Sequence, residues 1–135
     1  MRKFLSACPP WIFSLIVAVS ILWLTLAPKP LGEEPPMLFP GADKLAHALM
    51  FGGFAVMLML DRQRKNHWRP ISLPFALLSI IAASFFGIII EFLQASMGLG
   101  RSFEAVDVVA DIIGAFLFPL LYIFFQNLWL YSSQK

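Results

Sequence analysis

The sequence predicts an all-α polytopic membrane protein: four transmembrane helices in a single unit spanning residues 1–135, with the N-terminus and C-terminus both cytoplasmic. Three observations lead there. Hydrophobic residues make up 59% of the chain, with a mean hydropathy of +0.78. The few charges sit in short clusters between four long apolar runs. Lys and Arg gather at alternate ends of those runs, as loops on one side of a membrane do.

The first run extends from about Pro10 to Ala27, about 18 residues or 27 Å of helix, against a hydrocarbon core of about 30 Å. Pro9 and Pro10 suit its first turn. The stretch after Arg2 and Lys3 also resembles a secretory signal with small residues at Thr25 and Ala27, but Pro28 directly after them blocks cleavage, so the segment is expected to be retained. The second span covers about Lys44 to Leu60, the third Ile71 to Gln94 and the fourth Val106 to Tyr131, each bounded by charge or by Pro and Gly. Pro74 falls in the first turn of the third span, where a missing N–H is harmless, whereas Pro119 lies inside the fourth and should kink it.

In this arrangement Arg2, Lys3, Arg62, Arg64, Lys65, Arg69 and Lys135 share one side, and Lys29, Lys44 and Arg101 the other. The positive-inside rule therefore makes the first side cytoplasmic. Acids show the reverse bias: Asp61 alone is cytoplasmic, while Glu33, Glu34, Asp43, Glu91, Glu104, Asp107 and Asp111 belong to outer loops or outer helix ends. The loop "DRQRKNHWR" should associate with anionic lipid heads, with His67 solvated and Trp68, like Trp11, Trp129 and Tyr131, anchored at the interface.

A net charge of +2 offers no basic stripe for nucleic acid. Cys8 is the only cysteine, which excludes an intramolecular disulfide and a multi-cysteine metal cluster. Leu5-Ser6-Ala7-Cys8 spells a lipoprotein cleavage box, but too few apolar residues precede it for a lipoprotein signal.

At about 100° per residue, Asp43, His47, Met50 and Phe54 share one face of the second helix; Ala83, Gly87, Glu91 and Gln94 share one on the third; Asp107, Asp111 and Gly114 share one on the fourth. Such groups beside hydrocarbon cost several kcal/mol each unless they pair or reach water, so they should turn inward together. Lys44 and Arg101 are the outer cations available to them. Asp43, Lys44, His47, Glu91, Gln94, Arg101, Asp107 and Asp111 are thus expected to line a polar pocket at the outer interface. The small pairs Ala83/Gly87 and Ala110/Gly114 have the spacing that lets helices three and four touch. Ala48/Gly52 has it too, but points away from the His47 face and should meet a different neighbour. Gly98 and Gly100 can turn Arg101 back over the helix ends, and Ser102 is placed to cap the fourth helix.

With Asp43-Lys44 followed by His47, then Gly87, Glu91 and Gln94, then Arg101, Asp107 and Gly114, the chain resembles the VanZ-like family of small bacterial membrane proteins. The resemblance runs from the second helix to the fourth. It implies a multi-pass protein of the bacterial cytoplasmic (inner) membrane with a role in the cell envelope, since the family is named for a protein linked to resistance to the glycopeptide teicoplanin. Where the family usually has asparagine four residues after the aspartate, this chain has Asp111. The added carboxylate beside Asp107 increases repulsion, which a shared proton or a bound cation would relieve.

Four functional classes fit these residues, beside a structural one in which Asp43 and His47 merely tie helices together. A binding protein would hold membrane lipid, a cell-wall precursor or a glycopeptide-related ligand in the pocket. An enzyme would use His47 or Glu91 as general base, with Arg101 and Lys44 anchoring a phosphate, although no nucleophile motif or phosphate loop occurs. A small multidrug transporter fits less well, because the charge bias is strong and Glu91 lies near a helix end. A metal site would draw on His47 with Asp43, Glu91, Asp107 or Asp111, but one histidine, no cysteine and no HExxH pattern make a thin ligand set, so no metal and no cofactor are expected.

Overall fold

A computed structural model of the chain describes residues 8–27, 39–97 and 103–132. These form four α-helices, α1 (Ile12–Leu26), α2 (Ala42–Lys65), α3 (Leu73–Ser96) and α4 (Ala105–Ser132), with no strand among the described residues. Arg2, Lys3, Lys29, Glu33, Glu34, Gly98, Gly100, Arg101, Ser102 and Lys135 lie outside them. By length and composition α2, α3 and α4 can each cross a membrane. The apolar α1 has 15 residues and is about 22 Å long.

That α1 is shorter than the sequence suggests follows from the prolines at its two ends. Pro9 and Pro10 precede the helix instead of filling its first turn, and the Pro9 carbonyl accepts the N–H of Ile12 at 3.2 Å. Ala27 is extended, with ψ 141°, as a residue before proline must be to avoid the ring of Pro28.

The second helix instead runs one turn further than the hydropathy pattern indicates, through Asp61–Lys65. Arg62, Arg64 and Lys65 occupy its last turn, where cations offset the negative end of the helix dipole. Its end is a Schellman arrangement: the Trp68 N–H donates to the Gln63 carbonyl at 2.8 Å, and His67 takes the left-handed conformation with φ 54° that this motif requires just past the cap. His67 is exposed and Trp68 half-buried.

Pro74 lies in the first turn of α3, and Pro119, fully buried, lies within α4. At the start of α4 the Glu104 carbonyl accepts the N–H groups of Asp107 at 3.0 Å and Val108 at 3.4 Å.

Successive helices run in opposite directions. The start of α1 meets the end of α2, where the Asp61 carboxylate accepts the N–H and the Oγ–H of Ser14, both at 2.8 Å. The segment leading into α3 meets the end of α4, where the Ile71 N–H donates to Gln126 at 3.2 Å. At the opposite level the Gln94 amide of α3 donates to the Thr25 carbonyl of α1 at 2.9 Å, satisfying one of the carbonyls that every helix leaves unpaired at its C-terminus.

The α2 helix is central. It packs on all three others, most extensively on α4. Ala55, Ala83 and Ala115 meet where α2, α3 and α4 come together, and Ile21, Phe51 and Ile90 form the second fully buried cluster. Large apolar side chains, including Trp23, Ile81, Phe85, Ile113, Phe116 and Phe124, face outward instead. Small residues inside and bulky ones outside are what a bundle solvated by lipid requires, since hydrocarbon solvates leucine as well as another helix does and close backbone approach becomes the main source of helix association.

Gly114 shows how close that approach is. A Cβ placed on it would run into the backbone of Ala48, and one on Gly52 would lie 2.7 Å from the Gly114 carbonyl oxygen. Ala48 and Gly52 therefore face α4, the same helix that His47 reaches, and not a different neighbour. The two helices cross so tightly that adjacent rows of α2 both contact α4. Gly87 does serve contact between α3 and α4, but it accommodates a side chain: a Cβ there would lie 2.6 Å from Asp111 Oδ2.

The basic end is more ordered than the sequence suggests. Arg64 is buried, with a side-chain exposure of 2% against 5% for Asp61. It donates to Asp61 Oδ1 at 2.7 Å and to the Cys8 carbonyl at 3.1 Å, and covers the Phe13 ring at 4.3 Å. It is therefore not one of the solvated cations facing lipid heads, because helix α2 continues and points it inward. Gln63 joins the same level, donating to Gln126 at 2.8 Å and accepting from the Tyr122 hydroxyl.

Candidate functional site

The polar residues of three helices meet at the other end of the bundle, in two adjoining groups. In the first, Lys44 of α2 lies among three carboxylates, with Nζ 2.8 Å from Asp43, 2.7 Å from Glu104 and 2.6 Å from Asp107. Asp107 sits in the first turn of α4, where the helix dipole also favours a negative charge. Lys44, Asp43 and Glu104 lie at the rim, the two acids about half exposed, whereas Asp107 is buried.

The second group lies deeper. His47 of α2 places Nδ1 2.9 Å from Asp111 Oδ1 of α4, and Glu91 of α3 completes a trio whose ligand-type atoms all lie within 4.8 Å of one another. Glu91 is 1% exposed and Asp111 is fully buried. Glu91 Oε2 accepts the Glu104 N–H at 3.2 Å, which ties α3 to the start of α4. The other Glu91 oxygen and Asp111 Oδ2 are buried with no hydrogen-bond partner among the described residues.

Local sequence explains how each group gets there. The i, i+4 spacing puts Asp43 and His47 on one face of α2, as it does Asp107 and Asp111 on α4. Gly87, one turn before Glu91, leaves the space that the Asp111 carboxylate fills. Towards the middle of the bundle His47 stacks on Phe51, ring centroids 6.2 Å apart, and Phe51 packs with Ile21 and Ile90. An apolar layer thus backs the deeper group, where unscreened charge interactions are strongest.

Of the residues expected in a pocket, Asp43, Lys44, His47, Glu91, Asp107 and Asp111 come together, and Arg101 lies outside the described residues. Gln94, one turn from Glu91, is directed to α1 and holds the Thr25 carbonyl. Glu104, noted in the sequence only as an outer acid, contributes both its carboxylate and its N–H. Its place three residues before Asp107, at the entrance to α4, is the signal that could have included it.

At the basic end a cavity of about 380 Å³ is lined by Cys8, Pro10, Arg64, Lys65, His67 and Trp68. None of the acidic residues contributes to it.

No curated protein sequence and no solved structure is significantly similar to the chain. The family model described as VanZ/LLP1, however, matches residues 9–126. That interval contains every helix from α1 to most of α4 and all the residues gathered at the acidic end. The chain, a multi-pass membrane protein by its helices, belongs to the VanZ/LLP1 family.

Proposed function

We propose that the acidic end of the bundle faces outward from a bacterial cytoplasmic membrane and forms a pocket that binds the polar part of an envelope lipid or lipid-linked cell-wall precursor. The positive-inside rule supports this orientation, because Arg62, Arg64, Lys65 and Arg69 lie at the opposite end. One observation carries the reading: five carboxylates, a lysine and an imidazole from α2, α3 and the start of α4 collect at one end of the bundle. Holding a precursor there would alter how a glycopeptide reaches its target, in keeping with the family's link to teicoplanin resistance.

The test is lipid retention by the full-length protein in nanodiscs, read by native mass spectrometry with undecaprenyl phosphate and phosphatidylethanolamine as probes. Arg101→Ala is expected to lower retention of both lipids, and Asp107→Asn to lower retention of phosphatidylethanolamine, whose ammonium a carboxylate attracts, while the melting temperature holds. Retention that falls only in step with unfolding would instead make the cluster a helix-to-helix tie.

A second reading is favoured by the His47–Asp111 contact, because a carboxylate that orients an imidazole is the arrangement a general base uses. Under it, His47→Gln and Glu91→Gln variants would retain the lipid phosphate yet lose its turnover, measured as release of inorganic phosphate.

A further inference from the structure

The two acidic groups differ in what balances their charge. Around Lys44 a cation is already in place, its ammonium within 2.8 Å of three carboxylates. Around His47 the one available cation among the described residues is the imidazole itself when protonated, a single charge against the two carboxylates of Glu91 and Asp111, the more deeply buried acids. Each also keeps one buried oxygen without a partner, and a buried carboxylate oxygen left unmatched costs free energy that a native structure normally recovers through a ligand, water or ion.

We propose that His47, Glu91 and Asp111 bind one divalent transition-metal ion, zinc or manganese, in the gap where α2, α3 and α4 converge. One ring nitrogen and two carboxylates are a donor set suited to these ions, whereas calcium and magnesium favour oxygen alone. The spacing fits as well. Ligand bonds of about 2.0–2.2 Å at tetrahedral angles put neighbouring donors about 3.4 Å apart; the three donors lie within 4.8 Å of one another, and the 2.9 Å between His47 Nδ1 and Asp111 Oδ1 would open by about 0.5 Å as the ion replaces the proton they share. The Glu104 N–H on Glu91 orients a ligand carboxylate from outside, as such donors do in metal centres.

Three protein ligands leave a zinc ion at least one open coordination position. The ion would also cancel the two negative charges of Glu91 and Asp111 and, through its open position, offer a phosphate oxygen a direct ligand bond in place of carboxylates that repel it. In this respect the inference deepens the lipid-binding reading and names the ligand class as a phosphate-bearing head group. Ion binding itself stands without that reading.

The experiment uses full-length protein in detergent, stripped with EDTA and dialysed against zinc chloride or manganese chloride, with bound metal measured by elemental mass spectrometry. Wild type and Tyr122→Phe, altered at the far end of the bundle, are expected to retain about one ion per chain. His47→Ala and Asp111→Asn should weaken binding at least about tenfold, since loss of an outer-shell partner alone costs that much. Because either variant could lose its fold, His47→Cys supplies an independent signature: loaded with cobalt(II), it should show a thiolate-to-cobalt charge-transfer band that wild type lacks. Equal metal in wild type and His47→Ala, or no such band in folded His47→Cys, overturns the site. Undecaprenyl phosphate retained equally in EDTA overturns the bridging role and leaves lipid binding intact, whereas metal uptake without phosphate retention overturns the lipid reading alone.

Discussion

Replacing Gly114 by alanine is expected to be the most damaging single-methyl change in the protein. The new Cβ would occupy the same space as the backbone of Ala48, and a backbone cannot rotate out of the way as a side chain can. Helices α2 and α4 would have to separate along their whole contact. Overpacking of this kind costs about 1–3 kcal/mol, and the upper end applies where two backbones must part. The effect should reach the site as well, because Ala48 adjoins His47 and Gly114 lies one turn beyond Asp111, so parting the helices stretches the 2.9 Å His47–Asp111 contact.

Gly53→Ala is the control of opposite sign. Its Cβ would meet nothing within 4 Å, and alanine inside a helix is favoured over glycine by about 0.5–1 kcal/mol. Thermal unfolding of both variants in the same detergent should lower the midpoint for Gly114→Ala and raise or preserve it for Gly53→Ala. Equal midpoints would mean that α2 and α4 do not cross at Gly114.

Asp61→Ala is the second large effect. The carboxylate accepts two hydrogen bonds from Ser14 and one from Arg64, so its loss strands a buried guanidinium and frees the start of α1 from the end of α2. Removing one partner of a buried ion pair costs about 3–5 kcal/mol, whereas replacing both by apolar residues of similar volume can be near neutral. Asp61→Leu combined with Arg64→Met should therefore recover much of the stability lost in Asp61→Ala. Recovery is partial, because Arg64 also donates to the Cys8 carbonyl and covers Phe13. Ser14→Ala, which removes the hydroxyl's bonds to Asp61 and to the Trp11 carbonyl but keeps the N–H bond to Asp61, should cost about 1 kcal/mol. If Asp61→Ala unfolds no earlier than Ser14→Ala, the pair is solvated and the account of this end is wrong.

Both predictions rest on contacts that spacing along the chain does not reveal. Periodicity tells which residues share a face of one helix, but not which other helix that face meets. So the small-residue pair of α4 looks from sequence like a contact with α3, and Gly114 turns out to press on α2. Asp61 and Arg64 read as ordinary loop charges because hydropathy falls at Leu60, yet a helix continues wherever its residues favour it and its last turns can be anchored. Gln94 shares its face with Glu91, but one turn along the axis moves it within reach of the open carbonyls of α1.

What the sequence determined by itself is the solvent: apolar runs of membrane length, separated by charged clusters, leave helices in lipid as the only way to satisfy every backbone group. The sequence also assembled the acidic residues, because three helices each carry theirs near the same end and none can leave them in hydrocarbon. Only the tertiary structure decided how they divide. Helix crossing places Lys44 among three carboxylates at the rim and leaves His47, Glu91 and Asp111 together beneath it, since which oxygen finds a partner depends on ångström-scale separations between helices that no pattern along one chain encodes.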